Sequence, residues 1–209
     1  MHYGGVMARG PDLVGLTVLA LLSVRPGHPY ELHRMILDTH KDYVTGLPRS
    51  LYHAIDRLAG EELIVPAETS RQGRRPERTV YRLTEEGRAE LTTRLRRLLE
   101  EPGPDTRTLN AALSLIGGLS AREAERALLT RAAALESAVF ACDAHLRNLR
   151  ESGLPPVLTL ELECERALRG AELDWVRGVL ERLASGELAW PDHTGPGTTG
   201  GTHEQGSTV

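Results

Sequence analysis

The sequence predicts a mainly α-helical chain with one short β-hairpin in its first half and an antiparallel helical pair in its second. Three observations carry that prediction. Leu and Ala, 34 and 21 of 209 residues, dominate the composition while aromatics make up 4%, a balance that favours helices over a β-sandwich or barrel. Apolar residues recur at spacings of three and four through the segments on both sides of residues 63–83. Within 63–83 that rhythm gives way to two short strand-like runs around a turn rich in Arg, Gly and Pro. With 40% hydrophobic and 26% charged residues, the chain can build a core, and its length suits one large domain or two small ones.

Residues 1–12 read as a flexible leader. The longest apolar run, Leu13 to Val24, falls short of the roughly 20 residues a bilayer-spanning helix needs. Arg25-Pro26 follow it in place of a small-residue cleavage site, so it reads as a buried helix of a cytoplasmic protein with no membrane partner. Pro26 and Gly27 stop it. A second helix spans about 29–40, with Leu32, Met35 and Ile36 in one buried stripe. A polar turn, KDYVTG, follows, and Gly46 supplies backbone freedom for the reversal. A third helix spans about 48–61, with Pro48 in its first turn. Leu51, Ile55 and Leu58 face the core. Arg49, His53 and Asp56 lie opposite, with Tyr52 and Arg57 on the flanks. A short helix, a turn and a helix with such a polar face read as a helix-turn-helix.

Two strands come next, 63–69 and 78–83, joined by SRQGRRPE. Five Arg and one acid fall between residues 71 and 82. A hairpin with an arginine tip directly after a helix-turn-helix is the pattern of a winged helix. Thr84 is a good N-cap for a fourth helix, with Glu85 and Glu86 in its first turn and a leucine seam at Leu91, Leu95 and Leu98. EPGPDT at 101–106 breaks it, so a winged helix-turn-helix domain is expected over 13–101.

The second half is helical again. A short apolar helix is expected over 107–118. Ser120 and Glu123 form a capping box for a long helix reaching Gly153. Along it, Leu128, Ala132, Leu135, Val139, Cys142, Leu146 and Leu149 follow a strict heptad spacing. Pro155-Pro156 turn the chain into a last helix over about 157–187. Leu160, Cys164, Leu168, Ala171, Trp175 and Val179 line one side of it. Two long helices and a short loop fold back as an antiparallel hairpin, giving a second domain over 107–190. The Gly- and Thr-rich residues 191–209 read as a disordered tail.

Charge divides with the domains. The formal net charge is −4, but residues 1–99 carry +3 and residues 100–209 carry −7. The positive excess gathers on the hairpin, where phosphates could bind. No nucleophile elbow, phosphate-binding glycine loop, H-E-x-x-H or C-x-x-C is present, so no catalytic site, cofactor or enzymatic activity is expected. His28, His33 and His40, or Cys142 with His145, fall short of the converging ligands a metal needs. Cys142 and Cys164 read as core residues.

Three blocks, GHPYELHRMI, RSLYHAIDRLAGEELI and GRRPERTVYRLTEEGRAEL, in this order and spacing resemble the winged helix-turn-helix of the PadR-like family of bacterial transcription regulators. LECERALRGAELDWVRGVLERL resembles the larger helical C-terminal domain of one branch of that family. Where the family often has Gly-Thr before the Leu-Tyr of the recognition helix, this chain has Arg49 and Ser50.

The resemblance implies a homodimeric regulator of transcription, usually a repressor, that binds double-stranded DNA at a near-palindromic operator and is sometimes released by a small-molecule effector. Candidate DNA contacts are Arg49, Ser50, Tyr52 and His53 on the recognition helix, Lys41 in the turn, and Arg71, Arg74, Arg75 and Arg78 on the wing. The seam of Leu128, Leu135, Val139, Cys142, Leu146 and Leu149 is either internal core or shared with a dimer partner. Trp175 and Trp190 either pack or line an effector pocket. The alternative function is a protein–protein adaptor that uses its winged helix without DNA.

Overall fold

The protein was analysed as a computed structural model that describes residues 11–39, 41, 43–70, 78–103 and 105–190. Its first helix, α1 (Leu13–Val24), is enclosed: every residue from Gly15 to Leu22 is buried. A helix apolar all round belongs inside a core, and α1 packs against the third helix, the fourth helix and the second strand. The Asp12 carboxylate caps it, accepting from the Gly15 N–H at 3.0 Å. The next helix, α2 (Pro29–Asp38), opens with a capping box between His28 and Glu31 and buries Leu32 and Ile36. Gly46 takes φ +75° in the reversal that follows, a conformation costly for residues with a Cβ. The third helix, α3 (Arg49–Gly60), buries Leu51, Ala54, Ile55 and Leu58. Pro48 sits just ahead of α3, at its N-cap, rather than inside it.

The strands β1 (Ile64–Ser70) and β2 (Arg78–Leu83) pair antiparallel, with Ile64 opposite Leu83 and Ser70 opposite Arg78. The register shifts between Pro66 and Glu68, as at a β-bulge. Gly27 extends the sheet by one bridge, exchanging two backbone hydrogen bonds of 3.0 Å with Tyr81. The hairpin is thereby tied to the α1–α2 connection.

The fourth helix, α4 (Glu85–Glu100), starts as the sequence predicts, with the Thr84 hydroxyl accepting from Gly87 N–H at 2.9 Å. Thr84 also donates to the Leu63 carbonyl at 2.9 Å. Gly87 lies so close to the residue preceding β1 that a Cβ there would stand 2.0 Å from the Leu63 oxygen. The buried face of α4 is Leu91, Leu95 and Leu99. The predicted seam ended at Leu98, which is only half-buried: the buried face keeps an i, i+4, i+8 rise and turns to Leu99.

The helix expected over 107–118 is divided into α5 (Thr106–Ser114) and a short 3₁₀ turn, Ile116–Gly118. The capping box of Ser120 and Glu123 is formed and opens α6 (Ala121–Glu151). A second 3₁₀ turn, Pro156–Thr159, leads into α7 (Leu160–Ala184). The helices α6 and α7 pack on each other, and α6 also packs on α4. Arg131 lies at that meeting point with 2% of its surface exposed. It donates to the Leu99 carbonyl at 3.2 Å and the Glu101 carbonyl at 3.0 Å, both at the C-terminal end of α4. It also pairs with Glu172 of α7 at 2.6 Å. A guanidinium there satisfies carbonyls that have no helical partner and lies at the negative end of the helix dipole.

The apolar stripe read along the last helix faces the other way from the expected packing. Leu160, Cys164, Leu168, Ala171 and Trp175 are all exposed, Leu168 at 68% and Trp175 at 45%. The inward face of α7 is Leu173 and Val176, supported by Val179, Leu180 and Leu183. Trp190 is partly buried, and its indole N–H donates to the Leu119 carbonyl at 2.8 Å, fastening the end of the described chain to the α6 N-terminus.

Candidate nucleic-acid interface

The geometry begins with the two faces of α3. Its inner face is sealed against α1, which fixes the rotation of the helix about its axis. The outer face therefore presents a definite set of side chains. Arg49, Tyr52, His53 and Asp56 are all exposed, Tyr52 at 46%. Arg49 and His53 are one turn apart, and the Arg49 Nε–H donates to His53 Nε2 at 3.4 Å. The two candidates thus form one polar patch.

Ser50 is half-buried and donates to the Thr45 carbonyl at 2.8 Å, closing the turn that aims α3. Arg57 on the flank is held by an ion pair to Asp12, and Arg94 of α4 reaches the same carboxylate at 3.7 Å. Asp12 therefore caps α1 and staples α3 and α4 to it.

Lys41 is turned toward the second half of the chain. Its Nζ donates to Ser114 Oγ of α5 at 2.7 Å and stands 5.9 Å from the centre of the Tyr43 ring. The Tyr43 hydroxyl lies 3.4 Å from the same Ser114 oxygen. The turn of the helix-turn-helix is thus in contact with α5, through a partner 73 residues away that no local pattern announces.

Of the wing candidates, Arg71, Arg74 and Arg75 lie outside the described residues. Arg78 opens β2 opposite Ser70, and its side chain also lies outside them. Arg82, four residues on in the same strand, is exposed. The sequence reading passed over α2, whose outer face shows Tyr30 and Arg34, one turn apart and both exposed. Their spacing against buried Leu32 and Ile36 was the available signal.

The heptad seam is largely absorbed within the chain. Leu128, Leu135, Cys142 and Leu146 are buried, while Val139 and Leu149 are half-buried. Among the described residues, no group of three or more His, Cys, Asp or Glu is placed to hold a metal ion. Nor is any described helix long and apolar enough to cross a membrane.

A helix-turn-helix followed by a paired β-hairpin, with a helical hairpin behind it, defines a winged helix-turn-helix protein carrying a helical C-terminal domain. Residues 18–93 match the model of the Transcriptional regulator PadR-like family. Comparison with curated proteins finds no match.

Solved structures with a similar arrangement include Bacillus subtilis PadR in complex with operator DNA, at 21% identity and TM-score 0.40, covering 82% of this chain and 99% of that one. A PadR-like transcriptional regulator from Bacillus cereus is similar at 19% identity and TM-score 0.36, covering 84% of this chain and 98% of that one. Bacillus subtilis PadR in complex with p-coumaric acid is similar at 18% identity and TM-score 0.36, covering 82% and 99%.

Proposed function

We propose that this chain is a sequence-specific DNA-binding transcriptional regulator that acts as a homodimer, most simply as a repressor. The observation that carries the proposal is the outer face of α3. In a PadR-like domain, a helix locked by a buried back face presents Arg49, Tyr52 and His53 to the outside. Such a helix enters a major groove, where an Arg reads guanine edges and a neighbouring hydroxyl or imidazole adds a directional contact. The arginines at 71, 74, 75 and 78 supply phosphate contacts from the wing. Tyr30 and Arg34 on α2 supply others, since the first helix of this motif crosses the backbone.

The dimer face we propose is the outer stripe of α7, Leu160, Leu168 and Trp175, which the chain leaves uncovered. The heptad seam of α6, being largely buried in the chain's own core, serves the dimer indirectly by holding α7 in place. A two-fold pair of chains sets two recognition helices at a fixed separation and reads a near-palindromic site. A small-molecule effector that shifts the C-terminal helices would alter that separation and so the affinity.

Selection of genomic fragments with the purified protein, followed by anisotropy titration against the recovered sequence and random DNA, tests the reading. A preference of about 10³-fold or more for the recovered sequence is expected. Equal binding to both, or none, would instead favour a protein–protein adaptor.

A further inference from the structure

A line of alternating charge runs along the flank of the recognition helix. Arg57 of α3 is ion-paired to Asp12 and lies 3.8 Å from Glu61, one turn on. Arg94 of α4 reaches the same Asp12 oxygen at 3.7 Å and pairs with Glu90 at 2.6 Å. Asp12 stands at the centre of the line and is the one member carried by neither α3 nor α4. Its two oxygens divide the work: Oδ1 accepts from the Gly15 N–H at 3.0 Å, while Oδ2 faces both guanidinium groups. Gly15 makes room for this. A Cβ there would overlap the Asp12 carboxylate and stand 2.7 Å from a terminal nitrogen of Arg57. Glycine inside a helix is unfavourable on its own account, and at the buried Gly15 the missing side chain is the space that the carboxylate and guanidinium occupy.

Arg57 is exposed on the same helix that presents Arg49, Tyr52 and His53. An unpaired guanidinium there binds the phosphates of any sequence, since backbone contacts carry affinity without sequence information. We infer that Asp12 is a positioning residue for specificity: its carboxylate holds Arg57 off DNA phosphates, so that α3 binds through its base-reading face. The inference rests on the DNA-binding reading above. Three carboxylates and two guanidinium groups give the line a net charge of −1. Without the Asp12 charge, Arg94 keeps Glu90 at 2.6 Å. Arg57 keeps only Glu61, at 3.8 Å, beyond the reach of a hydrogen bond. Arg57 is therefore the charge that is released. Asn caps a helix as well as Asp does, so Asp12→Asn removes the charge and leaves the cap of α1. In a complex with random DNA the freed guanidinium takes a phosphate at once. On the selected site the docking is already fixed by base edges, so less is gained there.

The test is anisotropy titration of the full chain across a salt series, on random-sequence duplex DNA and on the sequence recovered from genomic selection. On random DNA, Asp12→Asn is expected to bind more tightly and to steepen the slope of log affinity against log salt by about 1, the value for one further phosphate contact. Preference for the recovered sequence is expected to fall about tenfold. Asp12→Ser, a second uncharged cap, behaves in the same way. Adding Arg57→Gln to Asp12→Asn restores the parent slope, which a merely structural role of Asp12 would not produce. Glu86→Gln removes an exposed acid of α4 that makes no ion pair among the described residues, and leaves the slope unchanged. An unchanged slope in both Asp12 variants, a steeper slope that persists without Arg57, or equal loss on both duplexes would overturn the inference while the parent still discriminates. A parent that binds both duplexes alike fails the DNA-binding reading itself, and the inference with it.

Discussion

Arg131 of α6 and Glu172 of α7 form an ion pair at 2.6 Å against the C-terminal carbonyls of α4, the last helix of the winged domain. One buried guanidinium on α6 therefore joins the winged half to α7. Arg131→Met removes the donor to two elements at once, the end of α4 and α7, and leaves Glu172 without its charge partner. A loss of about 3 kcal/mol is expected, since breaking one partner of a buried pair leaves desolvated groups unsatisfied. Glu172→Gln retains a neutral acceptor and costs less. Urea unfolding of the two variants checks the ordering, and a larger loss for Glu172→Gln would contradict it.

Two glycines make a second, internally controlled pair. At Gly87 the added Cβ of alanine would stand 2.0 Å from the Leu63 carbonyl, a backbone atom that cannot turn away. Gly87→Ala is expected to destabilise by about 2–4 kcal/mol, through displacement of α4 from the start of β1. Gly60, at the end of α3, has nothing within 4 Å of such an atom. Gly60→Ala is expected to be neutral or to stabilise by up to about 1 kcal/mol. Thermal melts of both proteins decide the matter.

The capping box of α6 carries a pH signature. The Ser120 hydroxyl and backbone N–H both donate to Glu123 and hold its carboxyl below the usual glutamate range. A lowered folded-state pKa means stability that is present above the unfolded pKa. That stability is lost as pH falls through the unfolded value, about 4.3, toward the lower folded one. Glu123→Gln is thus expected to be less stable than the parent at pH 7, by about 1 kcal/mol. The gap should close on acidification below the usual glutamate range; a gap that widens there would refute the assignment.

Arg49 and the wing arginines are expected to fail differently. Arg49→Ala changes the preferred sequence, costing about 1–3 kcal/mol on the selected site and less on random DNA. Arg74→Ala with Arg75→Ala weakens binding to all sequences and lowers the slope of log affinity against log salt by about 2. An unchanged slope would remove the wing from the phosphate contacts.

The two apolar faces of the C-terminal pair are expected to separate folding from assembly. Leu135→Ala, in the core, lowers stability by about 2–5 kcal/mol. Leu168→Glu, on the exposed stripe of α7, leaves the melting curve of the chain intact while shifting its solution mass to that of a monomer. A dimer that survives Leu168→Glu places the dimer face elsewhere.

What the sequence made legible was local. Thr84 and the pair Ser120 and Glu123 lie within three residues of the groups they cap, so spacing alone revealed them. The apolar run from Leu13 to Val24, stopped by Pro26 and Gly27, marked α1, whose bounds the structure reproduces. It misled along α7, where a stripe at helical spacing told that a face is apolar and not what covers it. The stripe of Leu160, Leu168 and Trp175 is left open, and Leu173 and Val176 do the packing. Contacts between distant segments were invisible. Lys41 suits phosphate on local grounds, and only the fold brings Ser114 to it; Arg131 reads as one more helical arginine until the end of α4 is laid across it. Of the candidate interface, the exposure of Arg49, Tyr52 and His53 was readable because amphipathicity on a short helix distinguishes the exposed face from the core face.

Lys41 has a practical consequence. It is the one lysine in the sequence, and its amine rests on Ser114 at the seam between the helix-turn-helix and α5. An amine-reactive dye therefore finds a single side-chain target, apart from the chain's α-amino group. Its reaction rate reports how often the turn and α5 part company. The protein carries a built-in tagging handle at the joint where its two halves touch.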